Sequence, residues 1–395
     1  MPARTPSPAR LGFLWFGIQA VWGGVLAISL QARSSQLGGA HALASYGAIA
    51  TGGAIVAGMT QLAIGPLADR RRARGSRRTE FYFAGVGVAV VALAAFYTAA
   101  TFAQLIGAFV LLQFGMNVAI GPYQSVIPDY IAPQRTGTAS SWMAALQSLG
   151  NAAGAILASS VADLRVVAAG LGAILVATAI GTSAHVRRLP LRTVAAARMK
   201  ITRTFMDLFL SRALIYVGFY TLLGYLYFYV ASLGGIVGDA AAATGPLLVI
   251  FLMAGTVGAA FGARPADRFD RRAVVTAAGV GFIAGLCTFV IGHDALALYA
   301  AVTIAGAAWG VFLSADWALG CALLPREALA TAFGIWNLAL IGPQIVAPAL
   351  TSAVLIAFHA LESSGAPRVA FALAAIEVAA GIAWIWRLPA TNVRV

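Results

Sequence analysis

Two short charged strings, LADRRRARGSRR at Leu67–Arg78 and PADRFDRR at Pro265–Arg272, interrupt an otherwise apolar chain. Each string follows a long apolar segment, and the Asp-Arg pair at residue 69 lies 198 residues before the pair at residue 267 in a chain of 395 residues. The separation is half the length of the chain. A charged loop that recurs at half-length predicts an internally duplicated membrane protein, and many secondary transporters are built by such duplication.

Both strings resemble the Gly-x-Leu-Ala-Asp-Arg-x-Gly-Arg-Arg signature of the major facilitator superfamily. The first string matches the signature at Gly65, Leu67, Ala68, Asp69, Arg70 and Arg74, and the second at Ala266, Asp267, Arg268, Arg271 and Arg272. The second string departs from the pattern at Asp270, where the family usually has Gly. One copy alone fits an ordinary basic loop equally well, but two copies in register favour the signature. The resemblance implies a gating role for these residues, and Asp129 near Arg135 is interpreted as a gating or capping ion pair.

The composition is that of a membrane protein. Hydrophobic residues make up 61% of the chain and charged residues 10%, against about 25% charged residues in soluble domains. Twelve apolar runs approach the roughly 20 residues that a helix needs to cross a bilayer, at 11–31, 43–66, 80–100, 103–127, 138–160, 165–184, 212–234, 242–264, 272–292, 296–322, 329–357 and 368–387. We therefore predict an all-α membrane protein with twelve transmembrane helices in two pseudo-symmetric six-helix bundles, which is the major facilitator fold.

The same runs predict the domain organisation. We expect a disordered cytoplasmic tail over residues 1–10, an N-terminal bundle over 11–185, a cytoplasmic linker over 186–211, a C-terminal bundle over 212–387 and a cytoplasmic tail over 388–395. The linker is basic and weakly amphipathic, which is typical of a segment at the membrane surface. A calmodulin-like or lipid-binding role for this segment is the alternative.

The basic residues predict orientation rather than a nucleic-acid partner. The formal net charge is +13, but 23 of the 26 Lys and Arg residues fall on one side when the N-terminus is placed in the cytoplasm. Only Arg33, Arg165 and Arg368 fall on the other side. The positive-inside rule therefore predicts a multi-pass membrane protein with both termini in the cytoplasm, and we expect the membrane to be a bacterial inner membrane.

Several function classes lack their signatures in the sequence. The two cysteines, Cys287 and Cys321, have no metal-ligand spacing and form no disulfide framework. The sequence has no Gly-Lys-Ser/Thr nucleotide loop, and no pairing of a nucleophile with a base is visible. We expect no cofactor, no metal and no enzymatic activity. The expected partners are a small-molecule substrate, a proton and the lipid bilayer, and the expected state is a monomer.

Longer motifs resemble one branch of the superfamily, the bacterial carriers related to glycoside/sucrose–cation symporters. The similarity is carried by GVFLSADWALGCALLPREALATAFGIWNLALIGPQIVAP at Gly310–Pro348 and by GPYQSVIPDYIAPQRTGTAS at Gly121–Ser140. Segments Gly17–Gln31 and Phe209–Thr221 are similar to the same branch. The resemblance implies transport of a sugar or a related polar solute together with a cation, by alternating access of two bundles around a central site.

Asp316 and Glu377 are the candidates for proton coupling, because a carboxylate inside a spanning helix is costly and usually serves ion or substrate movement. Burial disfavours the charged form of a carboxyl group, which allows the group to load and release a proton. An offset of 192 residues superposes Pro133 on Pro325 and brings Gln124 opposite Asp316. The alternative for Asp316 is a structural hydrogen bond between helices. For Glu377 helix packing is the favoured reading and proton coupling the alternative.

The candidate substrate-binding residues are amide and aromatic side chains of helices expected to line the cavity. Amides offer the paired donors and acceptors that hydroxyl-rich ligands need, and aromatic rings offer flat apolar faces. The candidates are Gln19, Trp22, Asn117, Gln124, Gln147, Asn151, Tyr220, Trp309, Trp317, Trp336, Asn337 and Gln344. Each of them alone fits an interhelical contact or an interfacial anchor equally well.

These observations predict a secondary active transporter of a small, sugar-like solute, coupled to protons. The alternative within the same class is a proton-coupled efflux pump for drugs or metabolites. The alternative of another class is a non-transporting membrane assembly factor built on the same fold.

Overall fold

The computed structural model describes residues 6–38, 42–191, 197–233, 240–357 and 365–391. Fourteen α-helices make up most of these residues. In chain order they are α1 Pro8–Gly24, α2 Leu30–Gly38, α3 Ala42–Ala73, α4 Thr79–Thr98, α5 Phe102–Tyr123, α6 Val126–Tyr130, α7 Thr136–Ser160, α8 Leu164–Arg187, α9 Arg203–Ser232, α10 Ala240–Arg268, α11 Arg271–Ile291, α12 Ala295–Leu323, α13 Leu329–Ala357 and α14 Ala366–Trp384.

The twelve predicted spans fall on these helices. Ten of the described helices are long and apolar enough to cross a membrane. The first span is divided between α1 and α2 by a π-helical turn at Val25–Ser29, which leaves α1 with 17 residues. The fifth span, α7, is less apolar because its sequence, TGTASSWMAALQSLGNAAGAILASS, contains many small polar residues.

Two helices begin earlier than the sequence predicts. Helix α1 begins at Pro8 inside the tail predicted as disordered, because proline suits the first helical position; residues 1–5 of that tail lie outside the described part of the chain. Helix α9 begins at Arg203, within the predicted linker. The Thr202 side chain caps it by accepting a hydrogen bond from the backbone N–H of Phe205 at 3.2 Å, and Phe205 and Leu208 are buried. Residues 192–196 of the linker lie outside the described residues.

The chain divides into two compact units. Unit 1 contains residues 1–132, 146–200 and 324–337, and unit 2 contains residues 133–145, 201–323 and 338–395. The main boundary between residues 200 and 201 falls inside the predicted linker. The beginning of α7 belongs to unit 2 and the beginning of α13 to unit 1.

Glycines allow close helix packing within each unit. In unit 1, a Cβ at Gly154 of α7 would overlap the carbonyl oxygen of Ala20 in α1. In unit 2, a Cβ at Gly258 of α10 would overlap the carbonyl oxygen of Ala307 in α12. Small residues of this kind let the backbones of membrane helices approach each other.

Candidate transport site and charged loops

Asp69, the acidic residue of the first charged string, binds the first turn of α13 within unit 1. Its Oδ1 accepts a hydrogen bond from the Ala330 N–H at 3.0 Å, and its Oδ2 accepts from the Thr331 N–H at 2.9 Å and from the Thr331 hydroxyl at 2.7 Å. A carboxylate at a helix N-terminus satisfies unpaired N–H groups and interacts favourably with the helix dipole. The Asp69 side chain is buried, so these bonds are shielded from water.

Two buried arginines complete this charged cluster. Arg78 lies 2.9 Å from the Asp69 carboxylate and 3.6 Å from that of Asp129, and Arg72 lies 3.9 Å from Asp129. The sequence had placed Asp129 near Arg135, but Arg135 is exposed, as are Arg70 and Arg74. Because α3 remains helical to Ala73, Arg72 lies three residues after Asp69 on the same helix face, whereas Arg70 points elsewhere.

Gly65 brings α3 close to the beginning of α13. A Cβ at this position would lie 2.8 Å from the Cα of Thr331 and 3.0 Å from the carbonyl oxygen of Ala330. Any side chain at residue 65 would therefore displace the helix turn that Asp69 binds.

The second charged string repeats this arrangement within unit 2. Asp267 accepts hydrogen bonds from the Gly137 N–H at 2.6 Å, from the Thr138 N–H at 2.9 Å and from the Thr138 hydroxyl, all at the beginning of α7. The buried Arg271 donates to the carbonyl oxygen of Pro133 at 2.9 Å and to the Thr136 hydroxyl at 3.0 Å. Arg268 is exposed. In each unit, an Asp of one charged string holds the first turn of a helix from the other half of the sequence.

Asp270, where the second string departs from the signature, pairs with Arg272 and caps α11. Its Oδ2 lies 2.6 Å from an Arg272 guanidinium nitrogen, and its Oδ1 accepts from the Arg272 N–H at 3.1 Å. Burial alone would raise the pKa of the Asp270 carboxyl, but the hydrogen bonds and charge of Arg272, with a bond from Thr391, hold that pKa below its ordinary value. Asp270 therefore stays ionised at neutral pH and contributes a fixed negative charge to the loop.

Asp316 forms a buried ion pair with Arg212 in unit 2. The Arg212 Nη1 and the Asp316 Oδ2 are 3.0 Å apart, and the two side chains are 2% and 5% exposed. The guanidinium also lies 5.1 Å from the Tyr216 ring centroid and 5.9 Å from that of Trp317. Arg212 was not predicted from the sequence, because the predicted linker ends at the residue before it. The apolar residues between Phe205 and Leu210 were the sign that α9 had already begun.

Gln124, the predicted counterpart of Asp316, belongs to a neutral polar cluster in unit 1. Its Nε2 donates to the Gln61 Oε1 at 3.1 Å, and the Gln61 Nε2 donates to the Asn117 Oδ1 at 2.7 Å. Asn117 donates in turn to the carbonyl oxygen of Gln113 at 2.8 Å. Sequence reasoning missed Gln61, although an amide in the middle of an apolar span was visible. Of the two residues paired by internal symmetry, Gln124 therefore belongs to a cluster of amides and Asp316 to an ion pair.

Among the described residues, the carboxyl group of Glu377 in α14 has one hydrogen-bond partner, the Thr221 hydroxyl. The Thr221 hydroxyl donates to the Glu377 Oε2 at 3.1 Å, and the Thr221 and Thr351 hydroxyl oxygens are 3.2 Å apart. In the described part of the chain, no basic side chain lies within ion-pair distance of this carboxyl group. The two candidate coupling residues therefore differ in their surroundings: Asp316 faces a guanidinium group, and Glu377 faces a neutral hydroxyl.

The other candidate binding residues differ in accessibility. Gln344 is exposed, and its Nε2 donates to the hydroxyl of the half-buried Tyr220 at 2.9 Å. Five more are half-buried and lie in unit 1: Gln19, Trp22, Gln147, Asn151 and Asn337.

The buried aromatic candidates pack inside the protein. The Trp309 ring stacks on Phe219 with centroids 3.9 Å apart, and the Trp336 ring lies 5.7 Å from Phe333. Both rings therefore contact other aromatic side chains in this structure, and their role as ligand platforms stays a prediction.

The sequence matches the Major Facilitator Superfamily over residues 12–348. The chain belongs to the major facilitator superfamily. Solved structures of superfamily fold cover nearly the whole chain, each at low sequence identity. A bacterial homologue of the iron transporter ferroportin in an outward-facing state has a TM-score of 0.73 at 13% identity, covering 96% of this chain and 98% of its own. The human organic anion transporter MFSD10 (TETRAN) has a TM-score of 0.70 at 12% identity, and the match again covers 96% of this chain and 98% of the other.

A third similar structure is the transporter FucP in the outward conformation, with a TM-score of 0.69 at 12% identity, covering 95% of this chain and 97% of its own. No curated protein matches the sequence. Likeness at these identities shows the fold, so the predicted major facilitator fold is confirmed. As a member of this superfamily, the protein is a multi-pass membrane transporter of small molecules and not an enzyme.

Proposed function

We propose that the protein is a secondary active transporter that moves a small polar solute, best matched by a sugar-like cargo, and couples this movement to protons through Asp316. The observation that carries the proposal is the buried Arg212–Asp316 ion pair inside the spanning helices α9 and α12. Removing two charges from water is costly, and charges kept inside a membrane protein usually serve transport.

The pair offers a physical basis for coupling. A proton on Asp316 would remove the negative charge that holds Arg212, leaving the guanidinium to interact with the Tyr216 and Trp317 rings. The pair and its protonated form differ in charge distribution, so a proton bound there would favour one facing state of the carrier over the other. Glu377 is the second candidate for coupling, because among the described residues its carboxyl group is bonded to the neutral Thr221 hydroxyl and to no basic side chain.

The accessible amides support a hydroxyl-rich cargo. Gln344 and Tyr220, both in unit 2, can donate and accept hydrogen bonds with a polyol. The resemblance to the glycoside/sucrose–cation symporter branch points to the same class of cargo. FucP, one of the structures of similar fold, is named a fucose:proton symporter.

An efflux carrier for organic anions is the second candidate, and Arg212 is the observation that favours it. A carboxylate on the cargo could replace Asp316 as the partner of the guanidinium. MFSD10, which shares the fold, is named an organic anion transporter.

One experiment on the purified full-length protein tests the proposal and separates the alternatives. We expect neutral sugars to raise the thermal unfolding temperature in a panel that also contains organic carboxylates, and we expect proteoliposomes to accumulate the stabilising sugar when the outside is made acidic. Stabilisation by carboxylates alone would support the anion carrier instead. Absence of both stabilisation and flux across the panel would overturn the proposal of a sugar-like cargo as well as that of an organic anion.

The basic asymmetry predicts a testable orientation in a bacterial inner membrane. Both termini and the 70–78 loop should lie in the cytoplasm, because basic loops are retained on that side. A cysteine introduced in that loop, or after residue 395, should react with an impermeant maleimide only once the cells are lysed. Labelling of either position in intact cells would contradict the predicted topology.

A further inference from the structure

A cavity of about 260 Å³ lies in unit 1 where α1 begins and α8 ends. Its lining residues are Arg10, Phe13, Gly181, Ala184, His185 and Arg188. Since α8 is a candidate membrane span over Leu164–Arg187, its last turn lies at the level where a spanning helix leaves the hydrocarbon. The cavity is therefore interfacial.

The lining is basic and contains no carboxyl group. Arg10 and Arg188 are exposed, and no carboxylate lies within ion-pair distance of either among the residues described. The first turn of α1 also has no acidic residue. The Ser7 N–H donates to the His185 Nε2 at 3.1 Å, which assigns the proton of a neutral ring to Nδ1. Two guanidinium groups and an imidazole thus have no carboxylate partner among the described residues.

One wall of the cavity is apolar. The Phe13 ring is 40% exposed, and Gly181 and Ala184 lie one turn of α8 apart. A Cβ at Gly181 would come within 3.1 Å of the Phe13 ring, so the glycine leaves space between α1 and α8. The site therefore has a cationic end at the helix termini and an apolar surface along the span.

We propose that this cavity binds an anionic phospholipid. The headgroup phosphate would lie between Arg10 and Arg188, and an acyl chain would run along Phe13 and Gly181. Guanidinium groups bind phosphate oxygens strongly, and basic pockets between membrane helices suit anionic headgroups. An acyl chain needs the apolar wall, whereas a free phosphate does not use it. This site is independent of the proposed transport function.

Native mass spectrometry of the delipidated full-length protein tests the site. We expect phosphatidylglycerol to bind more tightly than phosphatidylcholine, and Arg188→Gln to weaken phosphatidylglycerol binding by about fivefold, because a basic residue near an anionic headgroup contributes about 1 kcal/mol. Arg187→Gln is the matched control, since Arg187 is adjacent and equally charged but lies over the Phe83 ring. It should bind phosphatidylglycerol like the wild type.

The control variant and a soluble phosphate ester test whether the cavity itself binds the lipid. Equal weakening by Arg187→Gln and Arg188→Gln would indicate general surface charge and overturn the site. Binding of glycerol 1-phosphate as tight as that of phosphatidylglycerol would overturn the lipid as occupant. If Arg188→Gln is not recovered from the membrane, Arg10→Gln replaces it with the same expected loss, because Arg10 lines the same cavity from the first turn of α1.

Discussion

Asp316→Asn should abolish proton-driven accumulation of cargo while cargo binding and cargo–cargo exchange continue. Asparagine keeps the size of the side chain and an oxygen that can accept from Arg212, but it carries no proton that can be loaded and released. If Asp316 is the coupling group, the variant equilibrates cargo without responding to an imposed pH gradient. Uptake into proteoliposomes with and without the gradient measures both properties.

A matched control lies at the beginning of the same helix. Asp294 is exposed and caps α12 by accepting from the Ala297 N–H at 2.7 Å, so Asp294→Asn should accumulate cargo normally. Wild-type accumulation by Asp316→Asn would instead move the coupling role to Glu377. Complete loss of the variant from the membrane would indicate a structural pair, because removing one partner of a buried pair costs about 3–5 kcal/mol. The double variant Arg212→Gln/Asp316→Asn, which leaves no uncompensated charge, would then recover expression.

Asp69→Asn should lower the transport rate by about tenfold or more while membrane expression stays near normal. The substitution removes the charge that binds the first turn of α13 and pairs with Arg78. A hydrogen bond to a charged group contributes about 1.5–3 kcal/mol, and 1.4 kcal/mol corresponds to a factor of ten. We expect Asp267→Asn to be milder, because Asp267 has the equivalent helix contacts but no ion pair among those of unit 2 described above.

Arg71→Gln is the control for this pair of variants. Arg71 belongs to the same charged string but lies outside the signature positions and is exposed, so its loss should leave the transport rate unchanged. Initial rates of cargo uptake, normalised to the amount of protein in the membrane, give the comparison. Normal transport by both Asp69→Asn and Asp267→Asn would limit the charged strings to a role in topology.

The positions of the membrane-spanning segments were predictable because a bilayer requires about 20 apolar residues for each span. The residues at which the helices begin and end were less predictable. A basic residue such as Arg212 is typical of a cytoplasmic loop, and only tertiary packing against Asp316 places it inside a span. The charged strings were recognisable from their spacing alone. Which arginines of the first string are buried could not be predicted, because the burial of Arg72 and Arg78 depends on how far α3 continues past Asp69.

The candidate site was predictable in part. Asp316 and Gln124 stood out because polar side chains in apolar spans are rare and internal symmetry pairs them. Their partners, Arg212 and Gln61, depend on the rotation of α9 and α3 about their own axes, which apolar composition does not specify. Trp309 illustrates why aromatic residues are difficult to assign, since a tryptophan has the same sequence signature whether its ring meets a ligand or stacks on Phe219. The roles assigned to the candidate residues stay predictions.

The contact between Asp69 and α13 also constrains how the protein is made. The carboxylate and the Ala330 N–H that it accepts from are separated by 261 residues of sequence. During synthesis, α3 enters the membrane long before the ribosome reaches α13, so the nascent first half carries an acidic group whose helix partner does not yet exist. Arg78, only nine residues away, is made almost at the same time and can neutralise that group during the interval. The short-range ion pair is therefore available to the nascent chain early, whereas the long-range helix cap can form only after α13 has been made.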